Sequence, residues 1–341
     1  MRSKIKLYSI LCVVFCLFFS CNKTVWYSDL SKAQSAAKKQ NKLIYIVFTG
    51  VEWNESSKNL NEIVLTSEAF TKEMLQNYVL VHYDFTEAER EANKLYKTLG
   101  DEEKKAYEQL KKQYDEKDKA AVYTGCKIIP TAYLITYEGY SLMSVMPPQN
   151  LEVNTYLESV EKARKASLSK MDIINKVRTT KGREKLDAIY NLMSVTPDVF
   201  AQPLYPLITQ FDKLDPDNES ELAGVFELKQ AYLEAAMNKT EQEPSPFIKA
   251  VEKGHLSNEQ MQEAYYMAAY YVSMYDPKNF DRMLEYLNLS YEIDAKSKHK
   301  SNIKNAIESV KKTKLAAEEK ESLNAETTET EAETETADSE E

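Results

Sequence analysis

The sequence predicts an α/β domain followed by an all-helical one. Three observations carry this. Between residues 25 and 166, short apolar runs with strand alternation trade places with helical patterns. From about residue 171 to 317 the apolar residues recur at helical spacing alone. Only 7 glycines occur in 341 residues, which favours helix over a turn-rich β design, and a hydrophobic fraction of 43% is that of a folded protein.

The chain opens with Arg2, Lys4 and Lys6, then a largely apolar stretch from Leu7 to Phe19 that is too short to span a bilayer. It ends Phe18-Phe19-Ser20-Cys21. Residues 1–20 are therefore expected to be a signal peptide. A small residue before Cys21 resembles a bacterial lipobox, although Phe18 stands where leucine is usual. That resemblance implies lipidation of Cys21 (palmitate among the acyl chains), a membrane anchor, and a place in the cell envelope on the periplasmic or outer-surface side. Cys12 and Cys16 leave with the signal, so Cys126 is the one thiol expected in the mature chain, and no internal disulfide is expected. The apolar neighbours Ile128 and Ile129 make Cys126 read as a buried strand-edge residue.

Residues 25–41 read as a helix with Asp29 as N-cap and Leu30, Ala33, Ala36 and Ala37 at helical spacing. Leu43–Phe48 is an apolar run of central-strand type. Thr49-Gly50 makes a turn, and a helix follows from Asn54 through Leu60, Ile63 and Val64. After a break at Thr66-Ser67 a further helical stretch reaches Leu75, and Tyr78–Phe85 alternates as a second strand. Thr86-Glu87-Ala88-Glu89 is a capping box, and Gly100-Asp101 marks one helix stop and the next start. Residues 131–137 and 141–146 read as a hairpin around Glu138-Gly139, and 151–166 as a closing helix.

Two segments carry a family resemblance. Phe48-Thr49-Gly50-Val51-Glu52-Trp53-Asn54-Glu55-Ser56-Ser57-Lys58 resembles the F-T-G-x-x-W-C-x-x-C-K loop of thioredoxin-like proteins, and Gly125-Cys126-Lys127-Ile128-Ile129-Pro130-Thr131 resembles their cis-proline segment. The resemblance covers about residues 43–165 and implies a thioredoxin-like domain at 25–166. It also marks residues 86–122 as a helical insert where the family has one short helix. The insert reads either as a solvated decoration or as a partner-docking element.

Both family thiols are replaced, by Asn54 and Ser57. Disulfide exchange needs a thiolate and a resolving thiol. An asparagine amide supplies neither, whereas Asn54 suits a helix N-cap. Ser57 has no nearby base: the only histidines are His82, His255 and His299, and His82 reads as structural. Glu52 and Glu55 flank the loop as weak acid candidates. No catalytic residue, cofactor or metal site is expected, and the domain is expected to be redox-inactive. The resemblance implies a groove in which the Ile129 backbone pairs with an extended peptide, with Trp53, Ile129, Pro130 and Thr131 as candidates. Trp53 reads equally well as packing.

Beyond residue 171, Pro197, Pro216, Pro244, Pro246 and Pro277 punctuate the helices. Ala264–Tyr271, the Asp276-Pro277 breaker and the run from Phe280 resemble a tetratricopeptide helix–turn–helix, but no regular period emerges. The tyrosines of 265–275 read as core and rim packing. Residues 318–341 hold eleven acids against Lys320, a net −10 equal to that of the whole chain. This stretch is expected to be an acidic disordered tail, and the balanced remainder gives no sign of nucleic-acid binding.

The function expected is non-catalytic binding of a protein or peptide at the envelope, with the membrane reached through the lipid. The alternative is an oxidoreductase-related protein with residual activity through Cys126.

Overall fold

A computed structural model describes residues 26–238, 245–294 and 297–337, with side chains to residue 320. The signal peptide and Cys21 lie outside the described residues. Among those residues no helix is long and apolar enough to cross a membrane.

The N-terminal part is built on β1 (Trp26–Tyr27), α1 (Leu30–Gln40), β2 (Leu43–Thr49), α2 (Glu55–Leu60), α3 (Glu68–Asn77) and β3 (Tyr78–Asp84). It continues through α4 (Glu87–Leu95), α5 (Asp101–Thr124), β4 (Thr131–Ile135), β5 (Ser141–Val145) and α6 (Val153–Ala166). The sheet order is β1-β3-β2-β4-β5. β1, β3 and β2 run parallel, whereas β4 is antiparallel to β2 and β5 to β4. This is a mixed α/β thioredoxin-like domain followed by a mostly helical region.

β2 is buried along nearly its whole length, as a central strand covered on both faces must be. On one face Ile44, Ile46, Phe48, Val79, Val81 and Tyr133 pack with Ala33 and Ala37 of α1 and Ala120 and Ala121 of α5. Small residues on the helices let them approach the bulky strands. On the other face the Tyr45 and Tyr156 hydroxyls meet at 2.7 Å in a fully buried pair that fastens α6 to the sheet. Phe70 of α3 meets both rings edge-on.

Local capping places the elements. The Asp29 side chain accepts from Lys32 N, Ser67 from Phe70 N, and Thr86 with Glu89 forms the reciprocal capping box. Three features depart from the sequence reading. The two-residue strand β1 is too short to show a pattern. A π-helical turn, Asn61–Leu65, joins α2 to the break before α3. Cys126 lies in the loop after the left-handed cap Gly125, ahead of β4 rather than at a strand edge.

The helices α7 (Leu168–Thr179), α8 (Gly182–Ser194), α9 (Tyr205–Ile208), α10 (Phe211–Leu214) and α11 (Ala223–Met237) follow. Beyond them come α12 (Pro246–Glu252), α13 (Asn258–Tyr275), α14 (Phe280–Ile293) and α15 (Lys300–Ala337). The chain divides into two compact units. One holds residues to 180 together with 187–204, and the other holds 181–186 with 205 onward. The expected boundary near 166–171 therefore moves: α7 and most of α8 belong with the N-terminal unit. There the bidentate Glu138–Arg178 pair, at 2.8 Å on both oxygens, ties the β4–β5 turn to α7. Phe200 also packs edge-on against Tyr133.

In the second unit Phe247, Ala264, Ala268, Tyr271, Met283, Leu287 and Ile303 form one core from α12 to α15. Helix lengths from 4 to 38 residues show no fixed repeat. The helix of α15 continues through residues 318–337, where a disordered tail was expected. Alanine and glutamate are good helix formers, and extending a helix already nucleated at Ile303 and Ile307 adds one hydrogen bond per ordered residue.

Candidate functional site

The loop between β2 and α2 is held from three sides. Asn54 is the N-cap of α2, its Oδ1 accepting from Ser57 N at 2.8 Å. An uncharged cap thus stands where a thiolate would profit from the helix N-terminus. Ser57 is fully buried in the first turn, and its hydroxyl has no hydrogen-bond partner among the described residues. A buried, unsatisfied hydroxyl with no base beside it is no nucleophile.

Trp53 is a packing residue. Its indole Nε1–H donates to Phe85 O at 2.6 Å, and the Arg90 guanidinium lies 4.5 Å from the ring centre. The ring covers Gly50 so closely that a Cβ there would come within 2.4 Å of it, so only glycine fits. Glu52, a candidate acid by sequence, accepts from Glu87 N–H at 2.8 Å. Both Glu87 and Arg90 belong to α4, so the insert seats directly on the Trp53 side of the loop. The insert is itself locked by Lys117, which reaches both oxygens of buried Glu89 at 2.6 Å and the Asp84 carbonyl at 2.5 Å.

Beneath the loop lies a polar chain that sequence reasoning missed. The β2–β3 register sets Thr49 beside Asp84 and Val47 beside His82. Thr49 Oγ1 donates to Asp84 Oδ1 at 2.7 Å and accepts from His82 Nε2, also at 2.7 Å. The same carboxylate oxygen accepts from Val51 N–H at 2.8 Å. With its proton given to the carboxylate and a lone pair taken by the imidazole, buried Thr49 is not an activated nucleophile. Burial holds His82 below the ordinary histidine value, so the ring is neutral at pH 7. The chain fixes the loop to the end of β3. Alternation in the sequence put His82 and Asp84 on one side of a strand, but only the register brings in Thr49.

The other side of the site is the turn before β4. The Ile129–Pro130 bond is cis. Pro130 and Thr131 are buried, and Thr131 Oγ1 lies 3.2 Å from Met146 Sδ. Thr131 pairs with Phe48 in the sheet, which brings Pro130 next to the start of the loop. Ile128 is 66% exposed and Met146 is 53% exposed. Among the described residues the Ile129 backbone enters no hydrogen bond of the turn or the sheet. The site is thus covered at Trp53 and open at Ile128–Ile129.

The Cys126 thiol is pushed above its ordinary value by burial, and its Sγ lies 3.5 Å from Ile128 O. A raised pKa leaves less thiolate at neutral pH. Among the described residues no cluster of three His, Cys, Asp or Glu side chains could hold a metal ion.

No curated protein matches the chain. Residues 222–316 match a family described as an uncharacterised protein C-terminal domain. A solved structure named DsbH oxidoreductase is 20% identical over 41% of this chain and 84% of its own, with a TM-score of 0.28. Residues 25–107 match the thioredoxin-like family, so strands β1, β2 and β3, the loop and the first half of the insert lie in a thioredoxin-like domain.

Proposed function

We propose that this chain is a non-catalytic, thioredoxin-fold protein that holds an extended segment of another protein along the Ile128–Thr131 turn. The observation that carries the reading is the contrast within one site. The two redox positions hold a helix cap and a buried hydroxyl, while the turn opposite keeps an exposed Ile128 and an uncommitted Ile129 backbone. Main-chain pairing at such an edge needs no thiol.

Insulin reduction by dithiothreitol tests the absence of catalysis. No acceleration is expected from the purified chain. Turnover that vanishes in Cys126→Ala would assign the activity to that thiol instead. With its pKa pushed up by burial, the half-buried Cys126 is expected to label with a thiol reagent more slowly than a free thiol and to speed up on unfolding.

The reading includes export and an acyl anchor on Cys21, placing the protein at the bacterial envelope. Incorporation of an alkynyl fatty acid that is lost in Cys21→Ala checks this. Incorporation unchanged by that substitution removes the anchor from the proposal.

A further inference from the structure

The second unit carries a site of its own. A cavity of about 350 Å³ opens between α11, α13 and the start of α15, within the size range of ligand pockets. Its apolar walls include Tyr232, Tyr266 and Met267, and its polar groups include Glu259, Glu263 and His299.

The cavity does not end at its rim. Tyr266, Tyr270 and Met274 follow one another at four-residue steps along α13 and are 37%, 55% and 50% exposed. At 1.5 Å per residue they make a row about 12 Å long leading away from the cavity. A surface helix ordinarily turns a charged face to water. This one buries Ala264, Ala268 and Val272, yet has no charged residue anywhere from 264 to 275. Its outward face is apolar with nothing on it among the described residues.

Charge decides what fits. From residue 258 to 275 there is no lysine or arginine, and the two carboxylates stand at the cavity end of the row. Glu259 already takes an ammonium, Lys298 Nζ at 3.3 Å. Glu263 accepts a hydrogen bond from the Tyr232 hydroxyl and has no ion pair among the described residues. A guanidinium there would meet one carboxylate and two tyrosine rings, an arrangement that favours arginine over lysine. A second copy of α13 brings no basic residue of its own, so packing of α13 on α13 would leave Glu263 without a cation.

The geometry points to a docking site on the second unit for an apolar segment of another protein headed by an arginine. The guanidinium enters the cavity against Glu263, and the apolar side chains lie along Tyr266, Tyr270 and Met274. This site is separate from the turn at Ile128 and does not depend on it.

The test is fluorescence anisotropy of the full chain with a labelled amphipathic peptide. The peptide carries one arginine in its first turn and leucines at four-residue intervals. A second peptide has glutamate in place of the arginine. The arginine peptide is expected to bind, with the glutamate peptide about tenfold weaker or worse, since each tenfold corresponds to one interaction of ordinary strength. Glu263→Gln and Tyr270→Ala, both exposed and tolerant of change, should each weaken the arginine peptide about 3–10-fold. Ile128→Asp should leave it unaltered. Equal binding of the two peptides, binding of neither, or loss in Ile128→Asp overturns the assignment. Self-association of the chain that disappears in Tyr270→Ala overturns it as well, in favour of a second copy as the occupant.

Discussion

Ser57 gives the sharpest test of how the site is built. Its hydroxyl is buried in α2 with no hydrogen-bond partner among the described residues, a state that costs about 1–3 kcal/mol relative to water. Ser57→Ala removes that cost. Alanine also raises the helix propensity of the position by up to about 0.5 kcal/mol, and the missing oxygen leaves a void that takes back a similar amount. The net expectation is stabilisation by about 1–3 kcal/mol, where most buried substitutions destabilise. Ser56→Ala is the control, since Ser56 is exposed in the same helix and gains propensity alone. Both tryptophans, Trp26 and Trp53, lie in the N-terminal unit, so their fluorescence follows that unit without the helical one. For a unit of this size the gain corresponds to a rise of about 2–12 °C in its melting temperature. A Ser57→Ala chain no more stable than Ser56→Ala, or less stable than the parent, would show that the hydroxyl has a partner and would refute the argument.

Asn54→Ala should cost about 1 kcal/mol through loss of the cap, with Asn54→Asp close to neutral, both read from urea midpoints at unchanged m. Lys117→Met leaves Glu89 buried without its cation and should cost about 3–5 kcal/mol, while adding Glu89→Gln to it should recover much of the loss. Arg178→Ala should cost about 1–2 kcal/mol at pH 7, because the charge-assisted pair with Glu138 is only partly exposed. Burial alone would raise the Glu138 pKa, but the Arg178 hydrogen bonds outweigh it and the folded value is lowered. The pair's contribution is therefore complete above the unfolded glutamate value of about 4.3 and disappears as pH falls through the lower folded one. Urea midpoints of wild type and Arg178→Ala should draw closer in acid, with the Asn175 hydrogen bond and the Tyr137 ring contact of Arg178 keeping a smaller difference, and a gap as wide in acid as at pH 7 would contradict the assignment.

Much of the fold could be read from local signals. Asp29, Asn54 and the Thr86–Glu89 box cap helices where their side chains predict, because a cap is decided within four residues. The order of β2, β3, β4 and β5 followed from two motifs and the alternation between them. What stayed hidden depended on distant partners. Trp53 could face a groove or pack, and Arg90 of the insert decides it. Thr49 became part of the site only through its register with Asp84. The short helices α9 and α10 hold 4 residues each, too few to show a period, and α7 gave no hint that it joins the N-terminal unit through Arg178. The exposed row on α13 looked like ordinary core and rim tyrosine, since a helix that is apolar on two faces gives no sign of which one is covered.

The contact between Gly50 and Trp53 bears on how such sequences are sorted. Of the loop's F-T-G-x-x-W part, Phe48 fills the core, Thr49 and Gly50 hold the turn, and Trp53 roofs the glycine. Every one of those letters is explained by packing or hydrogen bonding, and none of them by electron transfer. A search pattern that weights them heavily will therefore gather chains by architecture and credit them with a chemistry they need not share. Glycine and tryptophan here constrain each other as a pair, free of whatever occupies positions 54 and 57. In this chain the first half of the motif stands folded without the second.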